Sequence, residues 1–242
     1  MLNSHAQALA AALPAVIAFA AAPAWGAVGC DLNEPERDVA RLFPGSTGYR
    51  TVELEIQKLG GNQMLVRIEA RMRDQLRGIY ETIDVPYTLY VIYRHNEVIG
   101  YIHGINQKGQ FGGIQVFLVL GLERRIRELY IQKMTGTYAG KFRDRAFEGQ
   151  FTGMQIEDFD TFDVATGRAT GRIAAVKNPE PASDLDFRMT MRGIKKNLIL
   201  VDEFFRAAKQ RLLNREMDFE LLDFEEAHVG IADFGFWILD WE

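Results

Sequence analysis

Val98–Met134, VIGYIHGINQKGQFGGIQVFLVLGLERRIRELYIQKM, is the stretch whose reading decides the fold. Val98–Ile105 is β-branched and aromatic, with glycines at 100 and 104, and Asn106–Gly113 is a glycine-rich bend. Ile114–Leu120, apolar but for Gln115, is a run of strand length, closed by Gly121–Arg125 before a further strand pattern at Ile126–Lys133. Upstream, Val85–Tyr93 has the same composition and reaches Val98 through the turn His95-Asn96-Glu97. Strands joined by such short turns pair antiparallel.

Outward from this centre the periodicity changes. Asn33–Phe43 reads as a short helix stopped by Pro44-Gly45, and Thr51–Leu59 alternates as a half-buried strand does. After the turn Gly60-Gly61-Asn62, the spacing predicts a helix over Gln63–Tyr80, burying Leu65, Ile68, Met72, Leu76 and Ile79. Phe142–Phe151 reads as another short helix. Ile194–Leu213 is amphipathic with Leu198, Val201, Phe204, Phe205, Ala208 and Leu212 on one face. Strands followed by helices argue for an α+β class, a largely antiparallel sheet with flanking helices.

The two ends differ from the middle. The first thirty of the 242 residues contain no Asp, Glu, Lys or Arg, and Leu9–Ala22 has the length of a signal-peptide core. Small residues follow at Ala24, Gly26, Ala27 and Gly29, so residues 1–29 are expected to be an export signal. Ala27-Val28-Gly29-Cys30 resembles the lipobox of bacterial lipoproteins. Cys30 is therefore either a lipidation site or a free thiol left by an ordinary cut after Gly26 or Gly29. As the chain's one cysteine it excludes an intramolecular disulfide. The remainder divides into a helix and strand extension packed on the core (residues 30–86), a main domain (87–216) and a C-terminal segment (217–242). From Met217 to Glu242 there are eight acidic residues, six aromatics and no Lys or Arg, the pattern of an arm packed on its own domain or a docking segment. A net charge of −5 disfavours nucleic-acid binding.

The order of VIGYIHGINQKGQFGGIQVFLVLGLERRIRELYIQKM, then F-x-x-Q-F-x-G at Phe147, Gln150, Phe151 and Gly153, then DVATGRATGR at Asp163–Arg172, then a long helix resembles the FMN-binding domain family. That family includes the flavoprotein subunits of Rnf and sodium-pumping NADH:quinone oxidoreductase complexes and the membrane-bound regulator of nitrous-oxide reductase. The resemblance spans Tyr87–Arg211. It implies an FMN cofactor, an electron-transfer role with no substrate chemistry of its own, and a membrane-bound or periplasmic redox partner. With the export signal and a possible lipid anchor, it implies the periplasmic side of the cytoplasmic membrane.

In family members with covalent flavin, the attachment motif resembles D-x-x-[S/T]-G-A-[T/S], its last hydroxyl taking FMN through a phosphodiester. Asp163, Thr166 and Gly167 stand in register here, but Arg168 occupies the alanine position and Ala169 the acceptor position. Thr170 restores Ala-Thr only with one residue inserted, a displacement of about 3.3 Å and a change of face in extended chain. Three readings follow: FMN on Thr170; FMN bound without a covalent bond, its phosphate met by Arg168, Arg172 and loop amides; or a flavin-free binding or assembly module that keeps the fold. Candidate groups lining the flavin are Tyr101, Phe111, Gln115, Tyr138 and Lys141. His95, His103 and His228 are scattered without metal-ligand spacing, and the acidic run Glu157, Asp158, Asp160 and Asp163 lacks that of a calcium loop.

Overall fold

The computed structural model describes residues 29–218. The export signal lies outside them but for Gly29, as does the acidic aromatic segment beyond Asp218. Five strands form one antiparallel sheet in the order β1-β2-β3-β4-β5: Gly48–Leu54, Tyr87–Arg94, Glu97–Lys108, Gly113–Leu120 and Ile126–Lys133. The sequence pattern of β2 to β5 is thus the observed meander, and the chain is α+β. β1, from the 30–86 extension, is hydrogen-bonded into the sheet beside β2.

The apolar run Val116–Leu120 of β4 has a simple cause: both faces of the sheet are covered. Ile114, Val116, Leu118 and Leu120 face the larger core, while Phe117 and Val119 face a smaller one with Cys30, Leu32, Val39, Leu42 and Phe43. The chain from Cys30 through helix α1 (Pro35–Leu42) therefore forms a layer over the second face. Gly104 pairs across β3–β4 with Phe117, whose ring lies where a Cβ would stand.

The larger core is closed by helix α6 (Asp184–Asp218), with α3 (Gly61–Met72) beside it. Every residue of α6 from Thr190 to Phe205 is buried. Ile194, Leu198, Val201 and Phe204 each contribute about 1.5–3 kcal/mol by leaving water. Asp184 and Asp186 favour the helix start through its dipole. Asp186 also ties the β3–β4 bend to it, accepting from the Gln110 amide at 2.7 Å and the Ser183 hydroxyl at 2.9 Å.

Several helix expectations are corrected. The helix expected over Gln63–Tyr80 ends at Met72, with Arg73 left-handed at φ 53°, and Ile79 is exposed. The following chain is drawn to α6 instead, where Arg192 bonds Asp74, the Gln75 carbonyl and Glu81. The first strand ends at Leu54 rather than Leu59; Ile56 turns into the core and a single helical turn, α2 (Ile56–Leu59), follows. The helix expected at Phe142–Phe151 splits into α4 (Ala139–Phe142), α5 (Arg145–Glu148) and a 3₁₀ turn, because Asp144 caps a new start by accepting from the Ala146 amide at 2.7 Å. α6 begins ten residues before the expected Ile194.

Candidate functional site

The loop Asp163–Arg172 is a closed structure. The Asp163 amide donates to the Arg168 carbonyl and the Gly167 amide to the Asp163 carbonyl, both at 2.8 Å. Asp163 Oδ1 accepts the Thr166 amide at 2.8 Å, which holds its carboxyl below the usual carboxylate range. Gly167 supplies the left-handed residue, at φ 71°, that closes the turn. The base of the loop is stapled by Thr161, whose hydroxyl donates to the Thr170 carbonyl and accepts from the Thr170 amide.

The F-x-x-Q-F-x-G segment seats this loop. Phe147 and Phe151 sink into the core with ring centroids 5.4 Å apart. Gln150 clamps the chain after the loop, accepting from the Lys177 amide at 2.8 Å and donating to the Lys177 carbonyl at 3.2 Å. Gly153, at φ 78°, and Thr152 offer carbonyls to the two terminal nitrogens of Arg172, each at 2.8 Å. On the other side, Arg188 of α6 reaches the Ala165 carbonyl at 3.2 Å, and buried Lys195 donates to the Phe162 carbonyl at 2.9 Å.

This arrangement separates the candidate residues by what remains free. Arg172 is committed to two carbonyls and, at 3.7 Å, to Asp158. Thr166 Oγ1 accepts from the Arg168 amide at 3.3 Å. The Thr170 hydroxyl and the Arg168 guanidinium are exposed and make no hydrogen bond or ion pair among the described residues. A hydroxyl, a guanidinium and a loop of fixed shape are what a phosphate group needs. The amides of Asp163, Thr166, Gly167, Arg168 and Thr170 are already bonded within the protein, so this hydroxyl and this guanidinium are what the loop leaves for a ligand.

The other candidates are placed elsewhere. Tyr138 and Lys141 stand at the start of α4, the ammonium 5.7 Å from the Tyr138 ring centroid and 2.5 Å from Glu180 Oε2. Gln115 lies toward the smaller core, accepting from Gln132 Nε2 at 3.2 Å, and Gln132 also binds the Asp31 carbonyl and the Asn33 amide. The sheet thus stands between Gln115 and the face that α6 covers. Tyr101 is a core residue against Phe205, with ring centroids 5.0 Å apart, and Phe111 is exposed on the β3–β4 bend. Cys30 is buried in the smaller core, and burial pushes its thiol well above the ordinary range.

Sequence reasoning missed the charged residues inside α6. Arg192 directs all its guanidinium nitrogens to Asp74, Glu81, Gln107 and the Gln75 carbonyl. Lys196 donates to Glu81 at 2.6 Å and to the Asn106 carbonyl at 2.8 Å. His103 Nδ1 lies 2.7 Å from Asn197 Oδ1, and burial pushes the imidazole down to about 4. The signal available was Arg192, Lys195, Lys196 and Asn197 standing within a helix otherwise rich in Ile and Leu. Among the described residues there is no helix long and apolar enough to cross a membrane.

No family model matches the chain, and no curated protein matches it. A solved structure that it resembles is NqrC of Shewanella oneidensis, at 11% identity and a TM-score of 0.48, covering 71% of this chain and 87% of that one.

Proposed function

We propose that this chain is an exported, membrane-associated FMN-binding protein that passes electrons to or from a membrane-bound or periplasmic redox partner. The observation that carries the reading is the loop Asp163–Arg172, which holds the free Thr170 hydroxyl and the free Arg168 guanidinium outward from a braced base. The order of strands, braced loop and long helix also follows the motifs on which the sequence resemblance rests. The flavin would supply the redox chemistry, while this chain would hold the phosphate and orient the ring. The inserted residue in the attachment motif favours a second reading, a flavin-free binding or assembly module on the same fold.

Colour separates the two. Chain purified from a host that co-expresses a flavin transferase should absorb in the flavin bands, and Thr170→Ala should abolish any label that survives denaturation while Thr166→Ala keeps it. A colourless chain that also fails to take up added FMN ends the electron-transfer reading. Export and anchoring rest on the uncharged N-terminal thirty residues and Cys30. A lipid on Cys30 would have to leave the smaller core, so mass spectrometry of the mature N-terminus tests the anchor directly.

A further inference from the structure

A cavity of about 370 Å³ opens on the flank of α6 away from the Asp163–Arg172 loop. It lies between the chain 74–81, the end of β3 and the helix positions Leu185, Met189 and Arg192. Asp184 and Arg188, on the same two helical turns, serve the loop instead, with Arg188 Nε 2.9 Å from Asp184 Oδ2 and its Nη1 on the Ala165 carbonyl. The cavity is therefore a separate place on the molecule.

Its wall is rigid because its charges are spent on one another. Glu81 takes Arg192 and Lys196 at 2.5 and 2.6 Å, and also accepts the Arg77 amide at 2.8 Å. Asp74 takes Arg192 Nε at 2.7 Å. These two carboxylates are balanced by two buried cations. Arg77 and Lys108 remain, both exposed, and the buried carboxylate of Asp186 behind Gly109 is taken by the Gln110 amide and the Ser183 hydroxyl.

The donors left over all line this cavity. Arg77 gives Nε and Nη2 to Gln75 Oε1, which leaves Nη1 unused. Lys108 Nζ and Tyr80 Oη have no hydrogen-bond partner among the described residues. Gln107 gives its oxygen to Arg192, while its amide nitrogen makes only long contacts, 3.3 Å to the Lys108 carbonyl and 3.9 Å to Met189 Sδ. Leu185, Met189 and the Tyr80 ring supply apolar surface beside them. Surplus positive charge, unused N–H and O–H donors and an apolar wall, within the usual volume range of ligand sites, fit one chemical class.

We propose that this cavity binds a small organic anion, a carboxylate or phosphate group on an apolar or aromatic body, with Arg77, Lys108, Gln107 and Tyr80 meeting the anionic end. The proposal does not rest on the flavin reading.

Calorimetric titration of the full chain with phenyl phosphate and with benzoate, at low salt, tests it. At least one of the two should bind at a single saturable site, and the better one names the anionic group. Phenol and inorganic phosphate should each bind at least about tenfold more weakly than that ligand. The double variant Arg77→Met, Lys108→Met changes exposed side chains, so its unfolding midpoint should stay put while its affinity drops at least about tenfold. Backbone amide shifts on binding should fall in residues 74–81, 107–113 and 185–192. No saturable binding of either aryl anion, equal affinity in the double variant, inorganic phosphate binding as well as phenyl phosphate, or shifts confined to 163–172 would each overturn the proposal.

Discussion

Lys196 Nζ lies 2.6 Å from Glu81 Oε1, with both side chains buried and the two residues 115 positions apart in the chain. The same carboxylate holds Arg192, so a single anion is shared by two cations in the core. Burial alone would raise the Glu81 carboxyl, but Lys196 and Arg192 overcome it and bring it down to about 2. Burial pushes Lys196 down to about 8.

Glu81→Gln should therefore cost about 3–5 kcal/mol in urea unfolding, because two buried cations lose the carboxylate they share. Lys196→Met should cost clearly less, since Glu81 keeps both of its contacts with Arg192. The carboxylate's contribution is present above its unfolded value of 4.5 and is lost as pH falls toward about 2, so the two chains' stabilities should converge across that window. A larger loss for Lys196→Met than for Glu81→Gln contradicts the assignment.

Glu148 behaves in the opposite sense. Burial pushes its carboxyl up to about 7, against the Ile131 amide that donates to it at 3.1 Å. The folded chain then holds a proton that the unfolded chain has released, so this contribution is full below 4.5 and is lost as pH rises through about 7. Glu148→Gln keeps the acceptor for Ile131 and removes the titration. The wild type should lose stability relative to this variant between those pH values; parallel pH profiles would refute the shift.

Gly104→Ala should destabilise by about 1–3 kcal/mol, because the new methyl group enters the space of the Phe117 ring between two covered faces. Gly48→Ala, on the edge strand β1 with open space around it, is the control and should be tolerated. Equal unfolding midpoints for the two variants would remove the packing argument.

Gln132→Ala should loosen the N-terminal layer, since that side chain alone bridges the Asp31 carbonyl, the Asn33 amide and Gln115. Limited proteolysis of the native chain should then cut faster within residues 30–43, with cutting in the Asp163–Arg172 loop unchanged. No change in cutting near Cys30 would mean that Gln132 does not hold the layer, leaving it to the hydrogen bonds of Leu32 with Tyr90 and Asp31 with Thr88 and to its apolar contacts.

Much of the sheet was legible in the sequence because its signals are local. Runs of β-branched, aromatic and apolar residues, glycine bends and the short turns at His95 and Gly121 act within a few residues, and β2 to β5 follow them closely. The loop of interest was also legible as a turn, since Asp163, Thr166 and Gly167 bond to one another. Which of its side chains stay free was not, because Arg172 is taken up by carbonyls 19 and 20 residues away.

The sequence by itself determined the class, the meander and the apolar face of the long helix, since each follows from the apolar pattern within segments and the short turns that join neighbours. Only the tertiary structure decided where α3 stops, which face of the sheet Gln115 occupies, and how Arg192 and Lys196 endure inside a helix. In each case the deciding partner is distant: Arg192 draws residues 74–81 away from a helix, the Cys30–Phe43 layer covers the sheet's second face, and Glu81 neutralises charges that no neighbour in sequence meets. Burying a charge costs far more than a local propensity contributes, so these long-range pairings overrule the pattern wherever the two conflict.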